Sequence, residues 1–142
     1  MKKKLLFLAF LSSSVFAMEG KLMTVYKSPS CGCCNDWIDI MKNKGFEIKA
    51  IETNEVNSIK QKAGLQAGQT SCHTAFVDGY VIEGHVDYTA VKKMLEEKPD
   101  IVGITVPGMP IGSPGMEQGN IKEAYNVLYL NKDGTTGVYE SH

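Results

Sequence analysis

Apolar and polar positions alternate along this chain in short, well-punctuated runs. Leu22-Met-Thr-Val-Tyr-Lys-Ser28 reads as a buried strand that Pro29 and Ser30 end. From about Cys33 or Cys34 the period changes: Trp37, Ile40, Met41 and Lys44 recur at helical spacing, and Gly45 supplies the stop. Phe46-Glu-Ile-Lys-Ala-Ile-Glu52 returns to the period of a half-buried strand. Asn54 is placed to cap a second helix running through about Leu65, and Gly64 and Gly68 break it into a loop. Thr74-Ala-Phe-Val77 and Tyr80-Val-Ile-Glu83 flank Asp78-Gly79, the dipeptide of a tight hairpin. Asp87 can cap a third helix with Val91, Met94 and Leu95 inward and Pro99 beyond its end. After a Gly/Pro-rich stretch from Val106 to Glu117, a second hairpin is predicted: Tyr125 to Leu130, a turn at Asn131-Lys-Asp-Gly134, then Thr135 to Glu140.

The first 17 residues follow a different logic. Lys2-Lys3-Lys4 is a basic segment, Leu5 to Leu11 an apolar one, and Val15-Phe16-Ala17 fits a small-x-small cleavage site, so residues 1–17 are expected to be a cleaved signal peptide. The apolar run falls well short of the roughly 20 residues of a membrane span. Residues 18–142 are then expected to form one domain in an extracytoplasmic compartment, the periplasm, with no membrane span. That part carries twelve basic against sixteen acidic side chains, and no basic patch stands out, so a nucleic-acid partner is not expected. In an oxidising compartment thiols persist only if something protects or cycles them.

That constraint bears on the four cysteines. Cys31, Cys33 and Cys34 put three thiols within four positions: a C-x-x-C with a third sulfur inside it. Thiolates this close mean redox chemistry or a soft metal. A purely structural disulfide set does not need adjacent cysteines, and a structural zinc site favours separated C-x-x-C knuckles. Cys72-His73 brings the fourth thiol, Glu83-Gly-His85-Val a second imidazole, and the Gly/Pro-rich stretch two thioethers, Met109 and Met116, that no helical core stripe explains. Met41 and Met94, by contrast, fit helix core stripes. Thiolate, imidazole and thioether together are the ligand set of copper(I). His73 and His85 could equally be satisfied polar residues of the fold. Trp37 and Tyr80 are expected to pack against the site, and the terminal His142 to be solvated.

The order β-α-β-α-β-β-α, with C-x-x-C between the first strand and first helix, resembles the thioredoxin fold over about residues 21–98, with residues 99–142 as an extension. The resemblance puts the thiols at the amino end of a helix, where its partial positive charge lowers thiol pKa. Thioredoxin-like proteins usually carry a cis-proline just before the third strand. Here His73 stands at that position, and Cys72 at the one that faces the C-x-x-C. Replacing proline by Cys-His favours metal capture.

Four motifs together carry a closer resemblance: Ser28-Pro-Ser-Cys31-Gly-Cys33-Cys34-x-x-Trp37, Ser71-Cys72-His73-Thr-Ala, Gly79-Tyr-x-x-Glu83-Gly-His85-Val and Gly108-Met109-Pro-x-Gly-Ser-Pro-Gly-Met116-Glu117. They are similar to a secreted, thioredoxin-like metal-binding family formerly of unknown function that includes the copper-resistance protein CopG. The resemblance implies a periplasmic protein of copper resistance holding a cysteine-bridged multinuclear copper(I) cluster. Cys31, Cys33, Cys34 and Cys72 are the expected thiolate ligands. His85, Met109 and Met116 are expected to complete the sphere, with His73 as a further candidate. Copper and thiol redox would couple at such a site. The competing expectations are a thiol–disulfide oxidoreductase with Cys31 as nucleophile and Cys34 as resolving thiol, and a passive copper chaperone. Either would serve a periplasmic redox or copper-efflux partner.

Overall fold

The computed structural model describes residues 18–142, and the signal peptide expected over residues 1–17 lies outside them. In chain order the elements are β1 (Leu22–Lys27), α1 (Gly32–Asn43), β2 (Glu47–Glu52), α2 (Val56–Lys62), β3 (Thr74–Val77), β4 (Tyr80–Glu83), α3 (Tyr88–Glu97), β5 (Gly103–Thr105), β6 (Asn126–Leu130) and β7 (Thr136–Ser141). The chain is a mixed α/β protein on a single sheet of order β2-β1-β3-β4-β5-β6-β7. β1–β2 and β4–β5 pair in parallel, the other neighbours antiparallel. Among the described residues no helix is long and apolar enough to cross a membrane.

Register decides which side chains share a face. Val25, Ala75, Ile82 and Ile104 lie across from one another on one side of the sheet. They form the main core with Trp37, Ile38 and Met41 of α1 and Ala90, Val91 and Met94 of α3. Met41 and Met94 are fully buried there, as helix stripes of that spacing should be. The other face carries Thr74 and Phe76 opposite Glu83 and Val81. α2 covers it, and a small second core forms around Leu65, Val81 and Leu130. Completely burying a side chain of this size contributes roughly 1.5–3 kcal/mol, so the larger core dominates.

Most element ends follow the chemistry expected of them. Gly45, at φ +101°, ends α1. Asp87 accepts hydrogen bonds from the Thr89 and Ala90 amides at the start of α3. Asp78 and Gly79, both at positive φ, form the β3–β4 turn, as a two-residue hairpin requires. Two expectations are corrected. α2 stops at Lys62 instead of Leu65, because Gly64 adopts φ +82°. Its entry is fixed by Thr53 Oγ1, which accepts from the Glu55 amide, while Asn54 makes no cap. The pattern also gave no sign of β5, whose three residues sit inside the apolar run Ile101 to Val106. A Cβ at Gly103 would stand 1.8 Å from the Val81 carbonyl oxygen, so only glycine lets β5 approach β4. Through β5 the C-terminal hairpin joins the same sheet.

Candidate metal centre

The first wall of the site is the start of α1. Cys31 is the N-cap residue in an extended conformation, no side chain caps the helix, and its first turn carries no acidic residue. The unpaired amides there leave a partial positive charge. Cys34 is fully buried one turn in, while Cys31 and Cys33 are half-buried. Cys31 and Cys34 are disulfide-bonded, and Cys33 and Cys72 are free thiols. The Cys33 sulfur lies 3.6 Å from that of Cys31.

The opposite wall is the segment entering β3. Cys72 Sγ is 3.0 Å from His85 Nε2 and 3.3 Å from His73 Nδ1. The four cysteine sulfurs lie within 4.8 Å of one another, as do Cys72 Sγ and one ring nitrogen from each histidine. Cys72 therefore belongs to both groups. His73 and His85 are fully buried. The Trp37 indole packs 4.4 Å from the His73 ring and is anchored by its Nε1–H on the Val86 carbonyl. His73 Nε2 is buried with no hydrogen-bond partner, a feature that buried polar atoms rarely show without a reason.

Burial sets the protonation states. It holds His73 well below its ordinary pKa, helped by His85 and Lys60, and it lowers His85 too, against the opposing Pro114 hydrogen bond. Burial also pushes the Cys72 thiol up to about 11. The carbonyl of Pro114 lies 2.7 Å from His85 Nδ1 and can only accept. Nδ1 therefore carries the proton, and the Nε2 lone pair faces Cys72.

The Gly/Pro-rich stretch closes over these groups. A Cβ at Gly115, which has φ +83°, would lie 2.9 Å from the Trp37 amide nitrogen and 3.1 Å from the Cys33 carbonyl oxygen. Gly108 donates its amide to the Thr70 carbonyl, and its own carbonyl accepts from Ser71 Oγ. Met109 and Met116 each follow a glycine fastened to the site. Met116 is half-buried and Met109 is 51% exposed.

Among solved structures, the copper resistance protein CopG in its Form 2 is 38% identical, with a TM-score of 0.83 over 87% of this chain and 99% of that one. Its Form 1 matches at 38% identity and a TM-score of 0.82, over 87% and 98% respectively. The chain belongs to the CopG copper-resistance family. The family described as "Protein of unknown function, DUF411" matches residues 69–116. That segment holds Cys72, His73, His85, Met109 and Met116 but not the helix-start thiols. No curated protein matches the chain.

In this CopG-family chain two site neighbours escape sequence reading. Lys60 and Glu83 form a buried ion pair. The one available signal is that Lys60 follows Val56 by four residues and so falls on the apolar stripe of α2. Tyr80, expected at the site, stands at the other end of β4 and donates to the Pro99 carbonyl. His142 is exposed as expected, yet it is stacked on Tyr125. Its Nε2 lies 3.4 Å from Asp87 and 3.5 Å from Glu140, so it faces two carboxylates in a group separate from the sulfur cluster.

Proposed function

We propose that this protein is a periplasmic copper-resistance protein that binds copper(I) as a multinuclear cargo bridged by Cys31, Cys33, Cys34 and Cys72. His85, Met109 and Met116 complete the coordination, with His73 beside them. The observation that carries this reading is the approach of four sulfurs from two distant segments to within 4.8 Å. Several soft cations can share few sulfurs only when sulfurs bridge. A single tetrahedral zinc ion on four thiolates would leave the two imidazoles facing Cys72 without a function. The partnerless His73 Nε2 and the helix start without a capping side chain also fit an occupied, charged site better than an empty one.

The frame we propose is thioredoxin-like over residues 21–98. The β2-β1-β3-β4 order supports it, as does the placement of α1 and α3 on one face and α2 on the other. The periplasmic assignment rests on the expected signal peptide.

Thiol redox sets the number of available ligands. With Cys31 and Cys34 joined, two thiols remain. Two electrons and two protons open the disulfide to two more, and copper(I) then displaces the thiol protons. In reverse, two thiolate sulfurs can join while two copper(II) ions each take one electron to become copper(I). A periplasmic redox or copper-efflux partner would complete the cycle. Anaerobically reduced wild-type protein is expected to bind several equivalents of copper(I), and the variant C33S/C72S to lose the cluster. Full copper retention in that variant rules the reading out.

A second reading has its own observation: a disulfide at a helix start with Cys31 accessible and Cys34 buried is the arrangement of a thiol–disulfide oxidoreductase. Turnover of a disulfide substrate by metal-free protein, lost in Cys31→Ser, would favour it.

A further inference from the structure

Behind Cys72, on the α2 side of the sheet, two ionisable side chains are buried against each other. Lys60 Nζ pairs with Glu83 Oε1, with 5% of Lys60 and none of Glu83 exposed. Removing two charges from water costs several kcal/mol per ion, so a buried pair calls for a role. Both carboxylate oxygens are in use. Oε1 accepts from Lys60 and, at 2.7 Å, from the Ser71 backbone amide. Oε2 accepts from Thr74 Oγ1 at 2.7 Å, and Lys60 also donates to Thr74 Oγ1 at 2.9 Å.

Ser71 is the residue before Cys72. Its hydroxyl donates to the Gly108 carbonyl, and its side chain occupies space that a Cβ at Gly84 would contest at 2.5 Å. Gly84 donates its amide to the His73 carbonyl, and Val106 donates to the Glu83 carbonyl. Three segments are tied at one point, and each leads directly into a candidate ligand: Cys72, His85 or Met109.

We infer that Glu83 is a positioning residue of the metal centre: its buried carboxylate, neutralised by Lys60, holds the Ser71 backbone and so sets the Cys72 sulfur against Cys33. This role rests on the copper reading above and acts through Cys72, without contact to the metal. A carboxylate suits it because charge-assisted hydrogen bonds are roughly twice as strong as neutral ones.

The test compares K60M/E83L with K60M/E83Q. Both remove the two charges together, so neither leaves an unpaired buried ion. Only glutamine keeps an oxygen for the Ser71 amide. One arm uses metal-free reduced protein in a C31S/C34S background, where dibromobimane can bridge only Cys33 and Cys72. Bridging is expected to be near the reference level in K60M/E83Q and largely lost in K60M/E83L. The other arm is anaerobic competition for copper(I) against bicinchoninate with all cysteines present. It is expected to show at least about tenfold weaker binding in K60M/E83L, the loss typical of an outer-shell partner, and recovery in K60M/E83Q. Undiminished bridging and affinity in K60M/E83L overturn the inference, and so does an equal loss in both variants. Bridging that depends on residue 83 in a protein that takes up no copper(I) supports the positioning role and overturns the copper reading instead. Circular dichroism checks folding. Should K60M/E83L not fold, E83D withdraws the carboxylate from Ser71 by one methylene and keeps the charge. It is expected to show the same loss, and full bridging in folded E83D overturns the inference.

Discussion

On either side of the β3–β4 pair the protein buries a polar centre, and the two centres are built on opposite terms. On the α2 side, Lys60, Glu83, Thr74 and the Ser71 amide satisfy one another. On the α1 side, two fully buried imidazoles and the half-buried Cys72 thiol crowd together, no counter-charge among the described residues faces them at hydrogen-bond distance, and His73 Nε2 has no partner. Buried polar groups in folded proteins are nearly always paired. The satisfied centre is therefore frame, and the proposed function makes the unsatisfied one the place where copper(I) completes the chemistry. One chain stretch, Ser71 to Thr74, contributes to both, so the frame can hold the site.

The difference can be broken from either side. The largest effect is expected on the frame: Lys60→Met alone leaves the Glu83 carboxylate buried and unpaired, and should destabilise the reduced, metal-free protein by about 3–5 kcal/mol in urea unfolding. Gly115→Ala comes next. Its φ of +83° and the 2.9 Å approach to the Trp37 amide predict a loss of more than about 1 kcal/mol, together with weaker copper retention as the Gly/Pro-rich loop lifts from Cys33. His73→Phe should separate site from frame most clearly. Removing an imidazole with an orphaned nitrogen should change metal-free stability by less than about 1 kcal/mol, while copper(I) affinity falls.

The smallest expected effect is a pH dependence. His73 and His85 both have lowered pKa values in the fold, chiefly through burial. The unfolded chain takes up their protons near the ordinary value of about 6.5, and the folded chain only at lower pH. Their contribution to stability is therefore fully present above about pH 6.5 and is lost as pH falls toward the folded pKa values. Unfolding of metal-free protein between pH 7 and 5 should show this loss, and His73→Phe should make it shallower.

How much of this the sequence makes legible depends on the range of each signal. The helix-start thiols, the Asp78-Gly79 turn and the Asp87 cap are local, so residue type and spacing within a few positions suffice. Cys72 comes to the thiols across about 40 residues, and spacing alone cannot say so; a resemblance to a known frame supplied its position. The Lys60–Glu83 pair is less visible still, since burial of a lysine is set by strands distant in sequence. β5 is too short to show a period, and the place of Gly103 follows only from the Val81 carbonyl it meets. Tyr80 marks the opposite failure: it lies in a motif with Glu83 and His85, but β4 carries it away from them.

The proposed function requires the unsatisfied centre to take copper(I) as a cluster. The most direct measurement is copper and sulfur quantified together in anaerobically purified, fully reduced protein, for the wild type and for C33S/C72S. The four cysteines and seven methionines of the full sequence calibrate the sulfur signal, corrected for Met1 once cleavage of the leader is established by mass. More than one copper per wild-type chain, lost in the variant, is the predicted result. A wild-type protein that retains one copper or none, or a variant that keeps the full complement, would contradict it.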